Sequence, residues 1–521
     1  MNARQSESVA GPARGFPAVS LMAVALSCAL PVVAVSSQSY WIDEALTALK
    51  AAQPSLAGWW QQMVSEKMSD LQMPLYMAYA WAWAQLFGTG EWALRAANLP
   101  WFIGGLLAFA LSFRGADRML AASVGGLSSF AWFYLDEARP YAMQIGVSLG
   151  LVASLRFLDG GGGTGQRKAC WAWAFCAGVA MLAGSSLLGF LWSGAALAVA
   201  AAVLGRARVV EVCKAARFAG LTLVVWLVGL AVYYVWTMRL GARASAMGTT
   251  NLQNACFVGY ELLGFGGLGP GRLEIRESGL AVFRAHWLPL ALYGGLAGIL
   301  LGAGVVSLWR QDRRRLLWVG VVILATAACL LVAGWAMHFR VLGRHCAPAQ
   351  AGIVLLLVTG AAAAMRQRDW WLRLAVCGFL LASAGSCLSA RFAPRHLKDD
   401  YRATAAHARA ALGAGQSVWW SADPHGAAFY GLPVSESEAA PGKAITLLNR
   451  PVDAVGALPL PDMAVCSKPD LYDVHGAVAR RLAEAGWQPA TNFPAFKVWK
   501  RAGANGGSPA SDSQPGRISV P

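Results

Sequence analysis

Residues 287–309 read WLPLALYGGLAGILLGAGVVSLW, residues 310–315 read RQDRRR, and residues 315–337 read RLLWVGVVILATAACLLVAGWAM. A helix needs about 20 apolar residues to cross the hydrocarbon core of a bilayer, so both apolar runs are long enough to span. The arginines between them are typical of a cytoplasmic loop, because basic residues in short loops stay on that side. The stretch therefore predicts two membrane-spanning helices joined in the cytoplasm.

The same pattern extends over most of the chain. Of its 521 residues, 57% are hydrophobic and 13% are charged, whereas soluble domains carry about 25% charged residues. The composition predicts a polytopic all-α membrane domain over residues 1–390, with about 11 transmembrane helices. The apolar runs of spanning length are 16–36, 95–113, 119–135, 140–158, 169–184, 186–204, 216–238, 287–309, 315–337, 345–365 and 371–390.

The basic residues orient these helices. The run from 74 to 87 is too short to span, and without it nearly every cluster of lysine and arginine falls in loops on one side. That side is then the cytoplasm, and the loop 37–94, with interfacial helices, lies outside. A net charge of +16 would suggest nucleic acid in a soluble protein, but here the charges flank apolar runs. We expect membrane lipid or a carrier phosphate as the partner, and no nucleic acid.

The last part of the chain differs in composition. Short β-like runs alternate with helical patterns over 391–500, which predicts a small C-terminal α/β extracytoplasmic domain. The segment 501–521 is rich in Gly, Ser and Pro and is expected to be disordered. The 10 cysteines are scattered without a CxxC pair, so we interpret them as packing residues.

Ionisable residues gather at the predicted outer ends of the helices. They occur in 40–45 (YWIDEA), 69–76 (SDLQMPLY), 134–141 (YLDEARPY) and 338–348 (HFRVLGRHCAP). Each motif alone also fits a helix start or an interfacial anchor. Charged residues close to membrane depth are usually functional, and arginine presents a planar fork that suits phosphate. Together, these motifs predict a site at the outer face.

In this order, with 92–95 (WALR) and 399–403 (DDYRA), the motifs resemble the protein mannosyltransferase and lipid A aminoarabinose transferase superfamily. Members are membrane glycosyltransferases of the GT-C fold, and the resemblance covers about residues 20–500. Bacterial members usually have His-Pro before Pro-Leu-Tyr, where this chain has Gln72 and Met73. The resemblance implies a multi-pass protein of the bacterial inner membrane, with its active site and C-terminal domain in the periplasm.

The resemblance also implies a reaction. An inverting glycosyltransferase would move a sugar from a polyprenyl-phosphate donor to a lipid, polysaccharide or protein acceptor. Asp43 would be the general base, with Glu44 and Asp136 assisting. No cofactor is certain, and a divalent cation could bind Asp43 and Asp136. The residues expected to bind substrate or phosphate are Asp70, Tyr76, Glu137, Arg139, Tyr141, Arg340 and Arg344.

Two alternatives stay open from the residues alone. A transporter or flippase for a lipid-linked sugar would need charged residues deep in several helices, but the helix interiors here are almost free of acids. A non-catalytic protein that binds a carrier lipid would not depend on Asp43. The letters of 264–269 (GFGGLG) match a dinucleotide-binding fingerprint, but no predicted strand precedes them, so that interpretation is rejected.

Overall fold

The computed structural model describes residues 18–160, 165–241, 250–437 and 442–501. Its contacts divide the chain into two compact units. We call Met1–Ser37 with Lys50–His396 the membrane unit, and Gln38–Leu49 with Leu397–Pro521 the C-terminal unit. Residues 38–49, which the sequence assigned to the membrane domain, thus pack with the C-terminal unit. The tail expected to be disordered lies outside the described residues from 502 onward.

The membrane unit is built from helices. Helix α2 is shared: it begins in the C-terminal unit and ends in the membrane unit. The bounds are α1 (Ala18–Ala29), α2 (Ile42–Ala51), α3 (Leu56–Glu66), α4 (Pro74–Phe87), α5 (Glu91–Ala96), α6 (Leu99–Leu111), α7 (Ala116–Gly126), α8 (Ser129–Leu135), α9 (Tyr141–Asp159), α10 (Gly165–Ser185), α11 (Leu187–Ala215), α12 (Arg217–Arg239), α13 (Leu252–Leu262), α14 (Arg272–Ser278), α15 (Trp287–Ala336), α16 (Gln350–Arg366) and α17 (Trp370–Phe392).

Among the described residues, seven helical stretches are long and apolar enough to cross a membrane. One of them, Arg272–Ala336, contains two of the predicted spans, because α15 bends at Asp312. The predicted run 119–135 is helical but interrupted between α7 and α8. Helix α4 has 14 residues, fewer than the roughly 20 that a span needs. The expected polytopic helical fold is confirmed, and the chain is a multi-pass membrane protein.

Several of these helices touch backbone to backbone. A Cβ atom on Gly105 of α6 would lie 1.9 Å from the carbonyl oxygen of Gly146 in α9. A Cβ atom on Gly360 of α16 would lie 1.8 Å from the carbonyl oxygen of Leu300 in α15. Membrane helices associate largely through close packing at small residues, since lipid is as apolar as their side chains. These glycines therefore fix how α9 and α16 pack against their neighbours.

The C-terminal unit holds a six-stranded sheet, which confirms the predicted α/β character. Strand order is β2-β3-β1-β4-β6-β5. Strands β1 to β4 pair in parallel, and β6 pairs antiparallel with both β4 and β5. The bounds are α18 (Tyr401–Gly413), β1 (Val418–Ser421), α19 (Pro424–Phe429), β2 (Val434–Ser435), β3 (Ala444–Thr446), α20 (Val452–Gly456), β4 (Met463–Ser467), α21 (Pro469–Tyr472), α22 (Ala477–Glu484), β5 (Trp487–Phe493) and β6 (Phe496–Arg501).

Both faces of this sheet are covered. Trp419 lies in the apolar cluster on one face, and its neighbour Trp420 lies in the cluster on the other, because successive side chains of a strand point to opposite faces. Ile42 of α2 packs against the Trp420 cluster, and the Tyr40 amide donates to the Tyr430 hydroxyl at 2.6 Å. These contacts explain why the first turn of α2 belongs to the C-terminal unit.

Candidate active site

Asp70 is held between two cations inside the membrane unit. It lies in the turn before α4, and its carboxylate accepts hydrogen bonds from Lys50 at 2.8 Å and from Arg139 at 2.5 Å. Lys50 also pairs with Glu66 at 2.6 Å. Asp70, Lys50 and Arg139 are at most 2% exposed. A buried charge is costly unless it is paired and hydrogen-bonded, so each of these groups depends on the others.

The charge state of Asp70 follows from these contacts. Burial by itself disfavours the charged carboxylate, but the positive charges of Arg139 and Lys50 outweigh that effect and hold the pKa of Asp70 below its ordinary value. Asp70 is therefore ionised at neutral pH and keeps Arg139 in place. The structure thus brings together two of the predicted substrate-binding residues, and it pairs them with each other.

Asp136 occupies a second buried position, at the end of α8. One carboxylate oxygen accepts from the Ser36 amide at 2.6 Å, and the other accepts from the Ser36 hydroxyl at 2.9 Å. The Nε atom of Arg95 lies 3.8 Å from Asp136, and Arg95 also donates to the Ser36 carbonyl at 3.0 Å. Arg95 is fully buried. The Asp136 carboxylate is therefore fixed in orientation by groups from two other segments.

Glu137 lies next to a cation that the sequence did not single out. Its carboxylate is 3.8 Å from Arg272, at the start of α14. Arg272 also donates to Glu261 at 2.6 Å and to the Tyr134 hydroxyl at 3.1 Å, and its guanidinium lies 4.0 Å above the Phe133 ring. A cleft beside it is lined by Phe130, Phe133, Phe257, Tyr260 and Ile275, among others.

The remaining predicted residues of the membrane unit divide into two groups. Arg344 lies over the Tyr141 ring, with its guanidinium carbon 5.7 Å from the ring centroid. The Tyr141 ring packs edge-on against Tyr134 at 5.3 Å, so this pair adjoins the Arg272 contacts. Tyr76 is buried in α4, and Arg340 is exposed in the loop after α15. Arg344 and Tyr141 are therefore in contact, whereas Arg340 lies exposed at the surface.

Asp43 and Glu44 lie in the first turn of α2, in the C-terminal unit. Glu44 is fully buried, and its carboxylate accepts from Lys398 at 3.2 Å and from the Trp41 amide at 3.5 Å. Asp43 is half-buried. Carboxylates are favoured in the first turn of a helix because the exposed amide groups carry partial positive charge. The burial of Glu44 suits a residue that orients the turn, and the greater exposure of Asp43 suits one that meets a substrate.

The described part of the chain shows no preformed cluster of ligand residues for the expected divalent cation. No group of three or more His, Cys, Asp or Glu residues there is arranged to hold a metal ion. Both oxygens of Asp136 already accept hydrogen bonds from Ser36. The binding of a divalent cation by Asp43 and Asp136 stays a prediction.

Sequence reasoning missed four charged residues that complete these contacts. Lys50 and Arg95 look like ordinary helix-end charges, although Arg95 was part of the motif that carried the resemblance. Glu261 and Arg272 lie in a long loop with no signal of its own. The order of charged residues along the chain does not tell which loops are close in space. The proximity of Arg272 to Glu137 therefore became visible only in the folded structure.

The fold and these buried charges define the general class without any comparison: a multi-pass membrane protein with a small α/β domain. A helical multi-pass domain carries ionisable residues at the start of α9 and is followed by a small α/β domain. No family model and no curated protein matches the sequence.

Solved structures give a more particular likeness. ArnT from Cupriavidus metallidurans in the apo state aligns with a TM-score of 0.53 and 15% identity, over 92% of this chain and 97% of that chain. The same protein bound to undecaprenyl phosphate aligns with a TM-score of 0.50 and 15% identity, over 92% of this chain and 98% of that chain. The GT-C type of fold that the motifs predict is therefore confirmed.

Proposed function

We propose that the protein is an inverting glycosyltransferase that takes a sugar from a polyprenyl-phosphate donor. The observation that carries the proposal is a fold shared over 92% of the chain with ArnT, one structure of which holds undecaprenyl phosphate. The acceptor would be a lipid, a polysaccharide or a protein. The reaction would take place on the periplasmic face of the inner membrane, because the basic loops favour the opposite side as the cytoplasm.

The surroundings of Arg272 support the binding of an anionic lipid head group. Its guanidinium adjoins an aromatic cleft, so a charged phosphate and an apolar chain would both find matching groups. Arginine pairs with phosphate through two parallel hydrogen bonds. Arg344, stacked on Tyr141, is the second candidate for the phosphate. Arg139 is the third, but its contact with Asp70 favours a positioning role.

The proposed chemistry needs one base and a stabilised leaving group. Asp43 accepts the proton of the acceptor hydroxyl or amine as the new bond to the anomeric carbon forms. The bond from that carbon to the phosphate oxygen breaks, and the phosphate leaves with the electron pair. Arginine side chains stabilise the charge that develops on it. Attack opposite the leaving group inverts the anomeric configuration.

The test compares envelope glycans and lipids by mass spectrometry in three strains: wild type, deletion, and deletion complemented with Asp43→Asn. We expect one sugar-sized mass to disappear in both the deletion and the Asp43→Asn strain, at equal membrane levels of protein. The mass difference would identify the donor as a hexose, a pentose or an amino sugar. Asp462→Asn is the matched control, because Asp462 is an exposed carboxylate of the C-terminal unit whose side chain, among the described residues, accepts hydrogen bonds from Ser417.

The same experiment separates the alternatives. If Asp43→Asn restores every product that the deletion loses, Asp43 is not the base, and a flippase or a carrier-lipid-binding protein explains the phenotype better. If the deletion accumulates a lipid-linked sugar on the cytoplasmic side, transport is the function. Loss of the product with Asp43→Asn but not with Asp462→Asn supports the transferase.

A further inference from the structure

The sheet of the C-terminal unit has a reversal in its strand order. Strand β1 lies between β3 and β4 and is parallel to both. The chain leaves β1 towards β2 and β3 on one side, and then crosses to β4 on the other. In open parallel sheets, ligands bind outside the carboxyl ends of the strands at such a reversal. The carboxyl ends of β1 and β4 are therefore the first place in this unit to search for a binding site.

Charged and polar side chains converge at this edge. Asp423 follows β1, and its carboxylate accepts from the amides of His425 and Gly426 at 2.9 and 3.2 Å. Lys468 follows β4 and pairs with Asp399, which precedes α18. Lys468 has a left-handed backbone, with φ of 38°, a conformation that costs energy in a residue with a Cβ atom. The Lys468–Asp399 pair neutralises itself, and Asp423 adds a carboxylate beside it.

Two buried tyrosines lie against these groups. Tyr401 and Tyr472 are at most 2% exposed, and their hydroxyls lie close to each other. Neither hydroxyl has another hydrogen-bond partner among the described residues. Ser421 and Thr446, the last residues of β1 and β3, also have buried hydroxyls without a partner in the described part of the chain. Buried polar groups are nearly always paired, so this concentration at one edge points to a hydroxyl-bearing ligand.

The first turn of α2 adjoins the same edge. Ile42 packs against the cluster that contains Tyr401 and Tyr472, and Lys398, one residue before Asp399, pairs with Glu44. Burial, together with the negative charges of Asp423, Asp399 and Asp43, raises the pKa of Tyr472. Asp43 directly follows Ile42, so the turn that packs against this cluster also carries the Asp43 carboxylate.

We propose that this edge is the acceptor subsite, and that it binds a glycan and presents one of its hydroxyls to Asp43. The inference rests on the proposed function, in which Asp43 is the base. Sugar hydroxyls both donate and accept, so carboxylates such as Asp423 and the hydroxyl of Tyr472 suit them. The two lysines named at this edge, Lys398 and Lys468, are outnumbered by the carboxylates of Asp43, Glu44, Asp399 and Asp423. This excess of negative charge disfavours a phosphate ligand.

The test uses the full-length protein in detergent and a membrane extract of the deletion strain. The lipid fraction, held constant, supplies the donor, and water-soluble glycans released by mild acid are titrated as the acceptor probe. We expect Asp423→Asn and Tyr472→Phe each to raise the acceptor KM about 10-fold, as the loss of a hydrogen bond to a bound group does, with a smaller change in kcat. Asp462→Asn, at the amino end of β4, is the control and should keep the wild-type KM.

A second measurement keeps donor binding apart from acceptor binding. Undecaprenyl phosphate should raise the thermal unfolding temperature of wild type and of both variants by the same amount. Asp423 caps α19, so Asp423→Asn could fail to fold. In that case Tyr472→Phe, which removes a single oxygen, tests the acceptor subsite. An unchanged acceptor KM in folded Tyr472→Phe would overturn the subsite alone. Absence of any sugar transfer by wild type would instead overturn the proposed function.

Discussion

The two ends of α9 carry the same kinds of charged residue in opposite environments. The helix runs from Tyr141 to Asp159, and its 19 residues cover about 28 Å, close to the thickness of the hydrocarbon core. Before its start, the Asp70–Arg139 pair is at most 2% exposed. At its end, Asp159 pairs with Arg208 and Arg315 at 2.7 and 2.8 Å, with side chains 29% to 43% exposed.

This contrast separates a candidate site from an anchor. Exposed pairs gain little because water and salt screen them and two long side chains must be ordered. In a buried pair, water cannot replace a lost partner, so each charged group needs the other and the two side chains are held in one geometry. Groups held in place by burial, or by several partners as Arg272 is by Glu261 and Tyr134, can present a preorganised electrostatic environment to a substrate. The charge on a helix end therefore says little until its burial is known.

The largest effect is expected for Asp70→Asn. Removing this carboxylate leaves Lys50 and Arg139 buried without their shared partner, so stability should fall by about 3–5 kcal/mol. The measurement is the unfolding midpoint of the purified protein in detergent. Asp159→Asn, the same substitution at the other end of α9, serves as the control. A loss below 1 kcal/mol with Asp70→Asn would contradict the contrast between the two ends.

The next effect concerns activity. Arg272→Gln should lower sugar transfer about 100-fold, because one preorganised charge that stabilises the transition state is lost. Arg315→Gln is a matched control: its side chain is 41% exposed, against 37% for Arg272. It should transfer sugar at the wild-type rate. Equal losses in the two variants would mean that Arg272 has no special relation to the donor.

Acid should weaken the protein through Asp70. Its pKa is lower in the folded protein than the ordinary value of 3.8, so the unfolded chain takes up the proton first. The stabilisation that Asp70 provides is complete above pH ~4 and is lost as the pH falls further through the folded pKa. We expect the unfolding temperature of wild type to fall more steeply below pH ~4 than that of Asp70→Asn. Parallel curves for the two proteins would show that Asp70 is not the titrating group.

The sequence was informative where a physical rule acts along the chain. Apolar run length predicted the helices of the membrane unit, and even the separate helices on either side of Ser186 follow from it. The motif order singled out Arg139 and Asp136 as candidate site residues, and the structure adds that both are buried. Their roles in catalysis stay predictions, since contacts alone do not reveal a reaction.

The sequence failed where contacts join distant loops. No sequence pattern near Arg272 or Glu261 predicts that they pair. Loop residues have no helical or strand periodicity, so the directions of their side chains cannot be predicted from the sequence. The membership of residues 38–49 in the C-terminal unit was likewise invisible, since it depends on the packing of Ile42 against strands some 380 residues later. Whether a charged side chain is buried depends on the whole fold. Composition counts the charged residues but does not tell which of them are buried.

The smallest effect is expected for Asp159→Asn. Asp159 bridges Arg208 and Arg315, which follow two other predicted spans, so it looks as central to its end of α9 as Asp70 does to the start. Both arginines can turn to water when it is removed, so stability should change by only about 0–1 kcal/mol. The unfolding midpoint at low and high salt checks this, since any small loss should vanish as salt screens the charges. A loss as large as that of Asp70→Asn, unaffected by salt, would mean that partly exposed pairs in this protein behave like buried ones.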